Sequence, residues 1–296
     1  MSEFPDVAAV VVTLNGLPWL PQCLDSLGDT PTVVVDHGST DGTIELVRDR
    51  YPHVTLIEQG NLGMGAGNNA GMRALQGRYW FLVNSDAWLT PGALAELVAF
   101  ADTHPDAAVV GPRLLNTDGT LQKSVRADPT LWGLATEYFF LRKLAPNTRM
   151  LNPMYVGGFE HDEARSVDWV SGAALLVRSA ATAETGLFDE AFFMFSEESD
   201  WQRRFRDAGW TVWFDPNADV VHVGGASHGG KLYVENLRGH LRWFAKHRGI
   251  RTARRAQRLL VTALRLRAIA YRGERGALYR DGVRFLSSGN VESLLS

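Results

Sequence analysis

The most constraining feature of this chain is a series of short, wholly apolar segments, each ending at a polar cluster. Residues Asp6 to Thr13 read Asp-Val-Ala-Ala-Val-Val-Val-Thr, and Thr32 to Val35 read Thr-Val-Val-Val. Continuous apolar runs of this length suit strands buried on both faces; a strand with one wet face would alternate. The first run stops at Thr13-Leu14-Asn15 and the second at Asp36-His37-Gly38-Ser39-Thr40-Asp41-Gly42. Another, Tyr79 to Val83, stops at Asn84-Ser85-Asp86. Helices are predicted over Pro18 to Leu27, Thr43 to Arg50 (with Thr40 or Asp41 as N-cap) and Pro91 to Asp102. Val54 to Ile57 and Ala107 to Gly111 add strands, and Gly60 to Gly71 reads as a glycine- and asparagine-rich loop leading into a helix. Strands alternating with helices predict an α/β fold with a Rossmann-like, mostly parallel central sheet flanked by helices.

The second half is less regular. Trp169 to Val177 predicts one core strand, and Thr211 to Val223 two short strands around Asp215-Pro216. Thr130 to Leu144 carries Trp132, Tyr138, Phe139 and Phe140, which read as exposed aromatics. Beyond Leu232 the pattern is helical to the end. The expected division is a main domain over residues 1–228 and a helical C-terminal extension over 229–296.

With 296 residues, 45% of them hydrophobic, the chain can bury a sizeable core. Its single cysteine, Cys23, excludes an intrachain disulfide and any multi-cysteine metal site. The N-terminal residues are acidic where a secretory leader needs positive charge, and no long uncharged apolar stretch follows, so the expected location is cytoplasmic. The net charge of −3 hides an asymmetry. Residues 1–230 carry 15 Lys and Arg against 29 Asp and Glu, whereas residues 231–296 carry 15 against 4. A basic tail on an acidic body points to an anionic partner or to arginines paired with that body.

In open α/β sheets, ligands bind outside the carboxyl ends of the strands, so three consecutive polar strand ends mark the expected site. Asp36 could accept hydrogen bonds from a ribose or a base edge, and glycines allow close approach of backbone to ligand. A lone aspartate at a strand end is usually a helix cap, but three clusters on adjacent strands make capping an incomplete account.

Six segments in order resemble family 2 glycosyltransferases, which have the GT-A fold. They are Val10 to Asn15, Val35 to Thr43, Asn61 to Gly71, Phe81 to Asp86, Gly186 to Arg204 and His222 to Ser227. Each alone is weak; the order makes the resemblance specific. It covers roughly residues 7–227, and the pattern is nearest to bacterial rhamnosyl- and O-antigen-type transferases. The resemblance implies transfer of a sugar from a nucleoside-diphosphate donor (dTDP- or UDP-linked) to a hydroxyl of a glycan or a polyprenyl-diphosphate-linked saccharide. It implies donor contacts from Thr13, Asn15, Asp36, Gly38, Ser39, Gly63, Asn69, Asn84 and Ser85.

The chemistry explains the remaining residues. A nucleoside diphosphate leaves readily only if its growing charge is neutralised, which Mg²⁺ or Mn²⁺ does as a Lewis acid held by oxygen ligands. Asp86 is the first candidate ligand, and His222 the second by resemblance, with His228 a weaker substitute. Asn84 stands where an aspartate could have added charge. An inverting transfer also needs a general base for the acceptor hydroxyl. Glu197, Glu198 and Asp200 form a carboxylate cluster whose members repel one another's charge. By resemblance the base is Glu198, with Glu197 the neighbouring alternative. Asp200 and Arg204, four apart, are expected to share a helix face and orient the segment.

Two departures stand out. Leu14 replaces an aromatic that in relatives stacks on the base. The Gln-x-x-Arg-Trp pattern of processive relatives is missing, so one sugar per encounter is expected. In the tail, Arg251, Arg255, Arg258, Arg265 and Arg272 recur at helical spacing, with Leu259, Leu260, Ala263, Leu264, Leu266 and Ile269 between them. This reads as peripheral contact with an anionic membrane. A nucleotidylyltransferase is the runner-up, but it would need a basic glycine-rich loop after the first strand. A nucleic-acid-binding module is disfavoured by the acidic body, so no nucleic acid is expected. A Rossmann dehydrogenase is disfavoured by the glycine spacing.

Overall fold

The computed structural model describes residues 6–224 and 230–295. In chain order the elements are β1 (Val7–Thr13), α1 (Leu20–Leu27), β2 (Thr32–Asp36), α2 (Thr43–Arg50), β3 (Thr55–Glu58), α3 (Met64–Ala74), β4 (Tyr79–Asn84), β5 (Ala87–Leu89), α4 (Ala93–Thr103) and β6 (Ala107–Leu115). There follow β7 (Leu121–Gln122), β8 (Val125–Arg126), α5 (Leu131–Tyr138), β9 (Arg165–Ser166), β10 (Trp169–Val170), β11 (Ala174–Arg178), α6 (Ser179–Thr185), α7 (Glu197–Asp207) and β12 (Thr211–His222). The chain closes with α8 (Gly230–Arg248), α9 (Ile250–Ala270), α10 (Gly273–Ser287) and α11 (Val291–Leu295).

Two compact units result. The first comprises residues 1–126, 160–191 and 197–224; the second comprises 127–159, 192–196 and 225–296. The C-terminal helices therefore share their unit with two segments from the middle of the chain.

The first unit is built on one sheet with the order β3-β2-β1-β4-β11-β6-β12-β5; β7 pairs with β6 and β9 with β12. Strands β3, β2, β1, β4, β6 and β12 run in one direction, while β11 and β5 oppose it. The apolar runs of β1, β2 and β4 are buried on both faces, as continuous runs require. On one face Leu20, Leu24, Val47 and Leu97 close over Ala9, Val11 and Phe81. On the other, α3 lies close against β1. A Cβ on Gly71 would sit 2.3 Å from Val10 Cγ1, and one on Gly67 would sit 2.8 Å from Val12 Cγ1. The glycines of the expected loop are thus largely helical, and they serve helix-on-strand contact rather than ligand approach.

Other expectations are corrected in detail. The segment from Trp169 to Val177 is two strands, β10 and β11, and β11 runs antiparallel between β4 and β6. Conversely, Thr211 to His222 is one strand whose register shifts between Asp215 and Asp219. Pro216 has no N–H to give the ladder, and Asp215 Oδ1 accepts the Asn217 N–H at 3.0 Å, so the irregularity bends the strand without ending it. Helix α2 begins at Gly42 in the left-handed region, not at Thr40 or Asp41; Asp41 Oδ1 accepts the Thr43 N–H at 3.1 Å.

The second unit is helical. Its core includes Leu134, Tyr138, Leu237, Trp243, Phe244, Leu260 and Leu264. Tyr138 is therefore interior rather than exposed, whereas Trp132 keeps 49% of its surface. Arg267 fixes α5 on α9 by donating to the carbonyls of Tyr138 and Glu137, both at 2.8 Å. No helix among the described residues is long and apolar enough to cross a membrane.

Candidate active site

The site grows from the carboxyl edge of the sheet in the first unit. At the end of β2, Asp36 is fully buried, and its Oδ1 accepts the N–H groups of Gly38 and Ser39 at 2.9 and 2.7 Å. This ties the following turn into a fixed loop. Its other oxygen, Oδ2, is buried with no partner in the protein. An unmet buried acceptor costs about 1–3 kcal/mol, so a ligand hydroxyl or N–H donor here would recover that loss. Asn15, left-handed at φ 53°, joins the same loop: its N–H donates to Ser39 Oγ at 2.7 Å and its Oδ1 accepts the Thr40 N–H at 2.9 Å. At the end of β1, Thr13 Oγ1 is likewise buried and unpartnered.

The end of β4 meets the end of β12. Strand β5 turns back after Asp86 and pairs antiparallel with β12, placing His222 opposite Ala87. The backbone N–H of Gly224 reaches Asp86 Oδ2 at 3.2 Å. His222 Nε2 stands 3.4 Å from Asp86 Oδ1 and 3.4 Å from Asn84 Nδ2. Burial opposes ionisation of Asp86, but the His222 ring and the Gly224 N–H outweigh it and hold the carboxyl below its usual range. Gln122 holds the ring from behind: its Oε1 lies 2.7 Å from His222 Nδ1, while its Nε2 donates to Asn116 Oδ1 at 3.0 Å and to the His222 carbonyl at 3.2 Å. Two acceptors on Nε2 fix the amide so that Oε1 must accept from Nδ1–H. His222 Nε2 is therefore the ring nitrogen left to face Asp86 and Asn84.

Among the described residues no group of three or more His, Cys, Asp or Glu side chains could hold a metal. A carboxylate and an imidazole nitrogen converging at 3.4 Å, with a neutral amide beside them, nevertheless suit one divalent cation. Mg²⁺ in particular is usually held by one or two protein ligands, with substrate phosphates and waters completing its shell. The residues present thus fit Mg²⁺ or Mn²⁺. His228 and residues 225–227 of the late histidine motif lie outside the described residues.

The acidic segment starts α7. Phe195 and Ser196, both left-handed at φ 67° and 70°, turn the chain sharply before Glu197. Glu197 is 6% exposed, and Glu198 is half-buried. Each has an enclosed Oε2 with no hydrogen-bond partner. A helix N-terminus favours a carboxylate by roughly 0.3–1 kcal/mol, but burial dominates here. Burial, then the charge of Glu198, pushes Glu197 well above the ordinary range; burial raises Glu198 too, with Arg126 pulling it back. Glu198 Cβ lies 3.5 Å from where a Cβ on Gly172 would be. The next residue, Ala173, accepts the Asn84 N–H at 3.0 Å, so the acidic segment adjoins the end of β4.

Asp200 takes a different part from its neighbours. It is fully buried and accepts from Arg204 Nε at 3.0 Å, while Arg204 caps the carbonyls of Thr185 and Leu187, both at 2.7 Å. The ion pair fastens the start of α7 to the segment that follows α6. Asn69 is also engaged internally: its Oδ1 accepts the Phe188 N–H at 3.0 Å, and its Nδ2 donates to the Phe188 carbonyl and to Glu190 Oε1 at 3.0 and 2.8 Å. It ties α3 to the loop before α7 and is 1% exposed. Gly38 and Gly63 are left-handed turn residues of the same edge, and Ser85 lies in the turn after β4. Sequence reasoning missed Gln122 and Gln202. Gln202 Oε1 accepts from Val170 N and its Nε2 donates to Val170 O, both at 2.8 Å, locking α7 to β10.

A mostly parallel central sheet flanked by helices, with polar strand ends along its carboxyl edge, is the GT-A architecture. The comparisons agree. The family model described as Glycosyl transferase family 2 matches residues 8–159. An N-acetylglucosaminyl-diphospho-decaprenol L-rhamnosyltransferase of Mycobacterium tuberculosis is 34% identical over 237 residues, covering 73% of this chain and 76% of the relative. The chain belongs to glycosyltransferase family 2. Distant structures share its fold. GalNAc-T7 with UDP, GalNAc and Mn²⁺ has a TM-score of 0.62 at 14% identity, over 100% of this chain and 56% of that one. The mannosyltransferase PcManGT of Pyrobaculum calidifontis with GDP-Man and Mn²⁺ has 0.55 at 17%, over 99% and 86%.

Proposed function

We propose that this enzyme is an inverting, non-processive rhamnosyltransferase. It moves L-rhamnose from a dTDP- or UDP-linked donor to a hydroxyl of an N-acetylglucosaminyl-diphospho-polyprenol at the cytoplasmic face of a membrane, which it contacts peripherally. The observation that carries the reaction type is the pairing of Asp86 and His222 at the end of β4, next to the segment holding Glu198. The M. tuberculosis relative supplies the sugar and the acceptor class.

In this reading the unpartnered oxygen of Asp36 accepts from the nucleoside, and the fixed loop through Ser39 and Asn15 shapes the donor cleft. Asp86 and His222 would hold Mg²⁺ or Mn²⁺, and that ion would supply positive charge to a departing diphosphate. Glu198 takes the acceptor hydroxyl's proton as that oxygen bonds to the anomeric carbon and the sugar–phosphate bond breaks. Its raised proton affinity suits this role, because a stronger base removes the proton more readily once ionised.

The test is transfer of rhamnose from the dTDP-linked donor to a short-chain N-acetylglucosaminyl-diphospho-prenol, followed by mass spectrometry. Transfer should require Mg²⁺ or Mn²⁺, stop with EDTA, and fail in Asp86→Ala. Undiminished transfer by Asp86→Ala in EDTA would overturn the metal reading. Product formation with another nucleotide sugar, and none with rhamnose, would overturn the donor.

A further inference from the structure

The spacing of the tail predicts a basic amphipathic helix with leucines between its arginines. The structure buries some of those apolar residues and leaves others beside the arginines. Leu260, Ala263 and Leu264 of α9 lie in the helical core, so α9 packs within its own unit through its apolar side. Its outer side is a single exposed stripe: Arg251, Arg255, Arg258 and Arg265, continued by Leu266 and Ile269. At 100° per residue these six fall within about 100° of one another, along about 27 Å of helix at 1.5 Å per residue.

Ion pairs of this tail include Arg254 with Glu292, Arg238 with Glu235 and Arg284 with Asp281. Arg251, Arg255, Arg258 and Arg265 take no carboxylate among the described residues, although residues 1–230 carry 29 of the 33 acidic side chains. The stripe then ends in two large aliphatic side chains that nothing covers, Leu266 at 54% and Ile269 at 83% exposure. Alongside runs a groove of about 400 Å³, where Arg258 and Arg265 face Ser287 and Gly289 at the end of α10. Gln257 fixes its far side by donating to the carbonyls of Leu286 and Gly289 at 2.7 and 2.8 Å.

We propose that this stripe is the surface by which the enzyme docks on an anionic phospholipid bilayer. The four arginines and the groove between α9 and α10 take lipid phosphates, and Leu266 and Ile269 enter the acyl boundary. This places on named residues the membrane contact included in the functional reading above. Charge complementarity supports an anionic partner, since guanidinium groups bind phosphate oxygens in a two-pronged fork. The aliphatic end decides between anionic partners. A nucleic acid would call for aromatic rings to stack on bases, and the stripe has none; a bilayer takes isobutyl and sec-butyl groups into hydrocarbon.

The full-length protein would be floated with phosphatidylcholine vesicles and with vesicles containing phosphatidylglycerol, at low and high salt. Binding to the anionic vesicles alone is expected. Arg255→Gln/Arg258→Gln/Arg265→Gln should weaken it on the order of 100-fold, from roughly fivefold per arginine. Leu266→Gln/Ile269→Gln should keep low-salt binding but lose the fraction that resists salt. All five positions are exposed, and thermal unfolding checks that the variants fold like the parent. Absence of parent binding, equal binding by the triple variant, or binding of an RNA oligonucleotide in preference to anionic vesicles would each overturn the proposal. Transfer to a water-soluble acceptor should be unchanged in both variants. Flotation is read without turnover, so a failed donor or acceptor assignment leaves this result standing, and the reverse.

Discussion

Replacing Glu198 by glutamine keeps the size of the side chain and most of its hydrogen-bonding capacity while removing its ability to take a proton. General-base catalysis contributes about 10²–10⁴-fold, or roughly 3–5 kcal/mol of barrier. The upper part of that range is expected, because Glu198 is half-buried, its Oε2 is enclosed, and its neighbourhood raises its basicity. Donor affinity should stay within about twofold, since the base meets the acceptor. Glu197 differs: it is 6% exposed, and its Cβ lies 3.8 Å from where a Cβ on Gly65 would be, inside the packing of α3. Glu197→Gln should therefore cost about tenfold or less in kcat, a smaller loss than the base itself brings. Single-turnover rates at saturating donor, with donor Kd from calorimetry, separate the two effects. The pH profile is a second readout. A base works only when deprotonated, so activity should climb as pH rises through Glu198's raised pKa, and Arg126→Gln, which removes the charge that pulls this pKa back, should move the acid limb to higher pH. If Glu197→Gln is the dead variant and Glu198→Gln is not, the proton goes to the deeper carboxyl. If neither loses activity, another group takes it.

Gln122→Leu should weaken Mn²⁺ binding in the presence of nucleoside diphosphate by about 10–100-fold, because it frees the His222 ring, and electron paramagnetic resonance of unbound Mn²⁺ would report it; unchanged affinity would make Gln122 a bystander. Asp36→Ala should raise the donor KM while leaving Mn²⁺ affinity alone; an unchanged KM would reduce Asp36 to a tie for its own loop. Gly71→Ala should destabilise the protein by about 1–3 kcal/mol in denaturant unfolding, since the new methyl must displace Val10, and a neutral result would show that α3 moves outward freely.

The parallel half of the sheet was legible because β1, β2 and β4 are buried on both faces, and nothing but a central strand tolerates such unbroken apolar runs. The strand ends were legible for the same reason: polar residues that interrupt a buried strand need a purpose. Strand β5 was not, since Ala87–Leu89 has too few residues to show a period. Yet β5 is what carries His222 back to Asp86. Gln122 was invisible because it lies on a two-residue strand whose meaning comes from a partner 100 positions away. Asn69 looked like a donor contact because polar side chains in a ligand-facing motif and polar side chains that brace it read alike; its bonds to Phe188 and Glu190 show it bracing. In the tail, helical spacing gave the arginine stripe but could not say which leucines the bundle would claim.

The helical unit draws Leu131–Tyr138 from the middle of the chain and α8 to α10 from its end. On the ribosome these parts are made well apart. Helix α5 leaves the tunnel with Leu134 and Tyr138 uncovered and waits for α9, whose first residue follows more than a hundred positions later. At about 5–20 residues per second the wait is roughly 6–25 s. That is long beside the microseconds in which a helix forms or a chain collapses. The nascent chain therefore holds an unfinished apolar face over more than a third of its length. A chaperone would have its longest opportunity at α5, and slowing translation between residues 140 and 250 should lower the soluble yield without altering the finished enzyme.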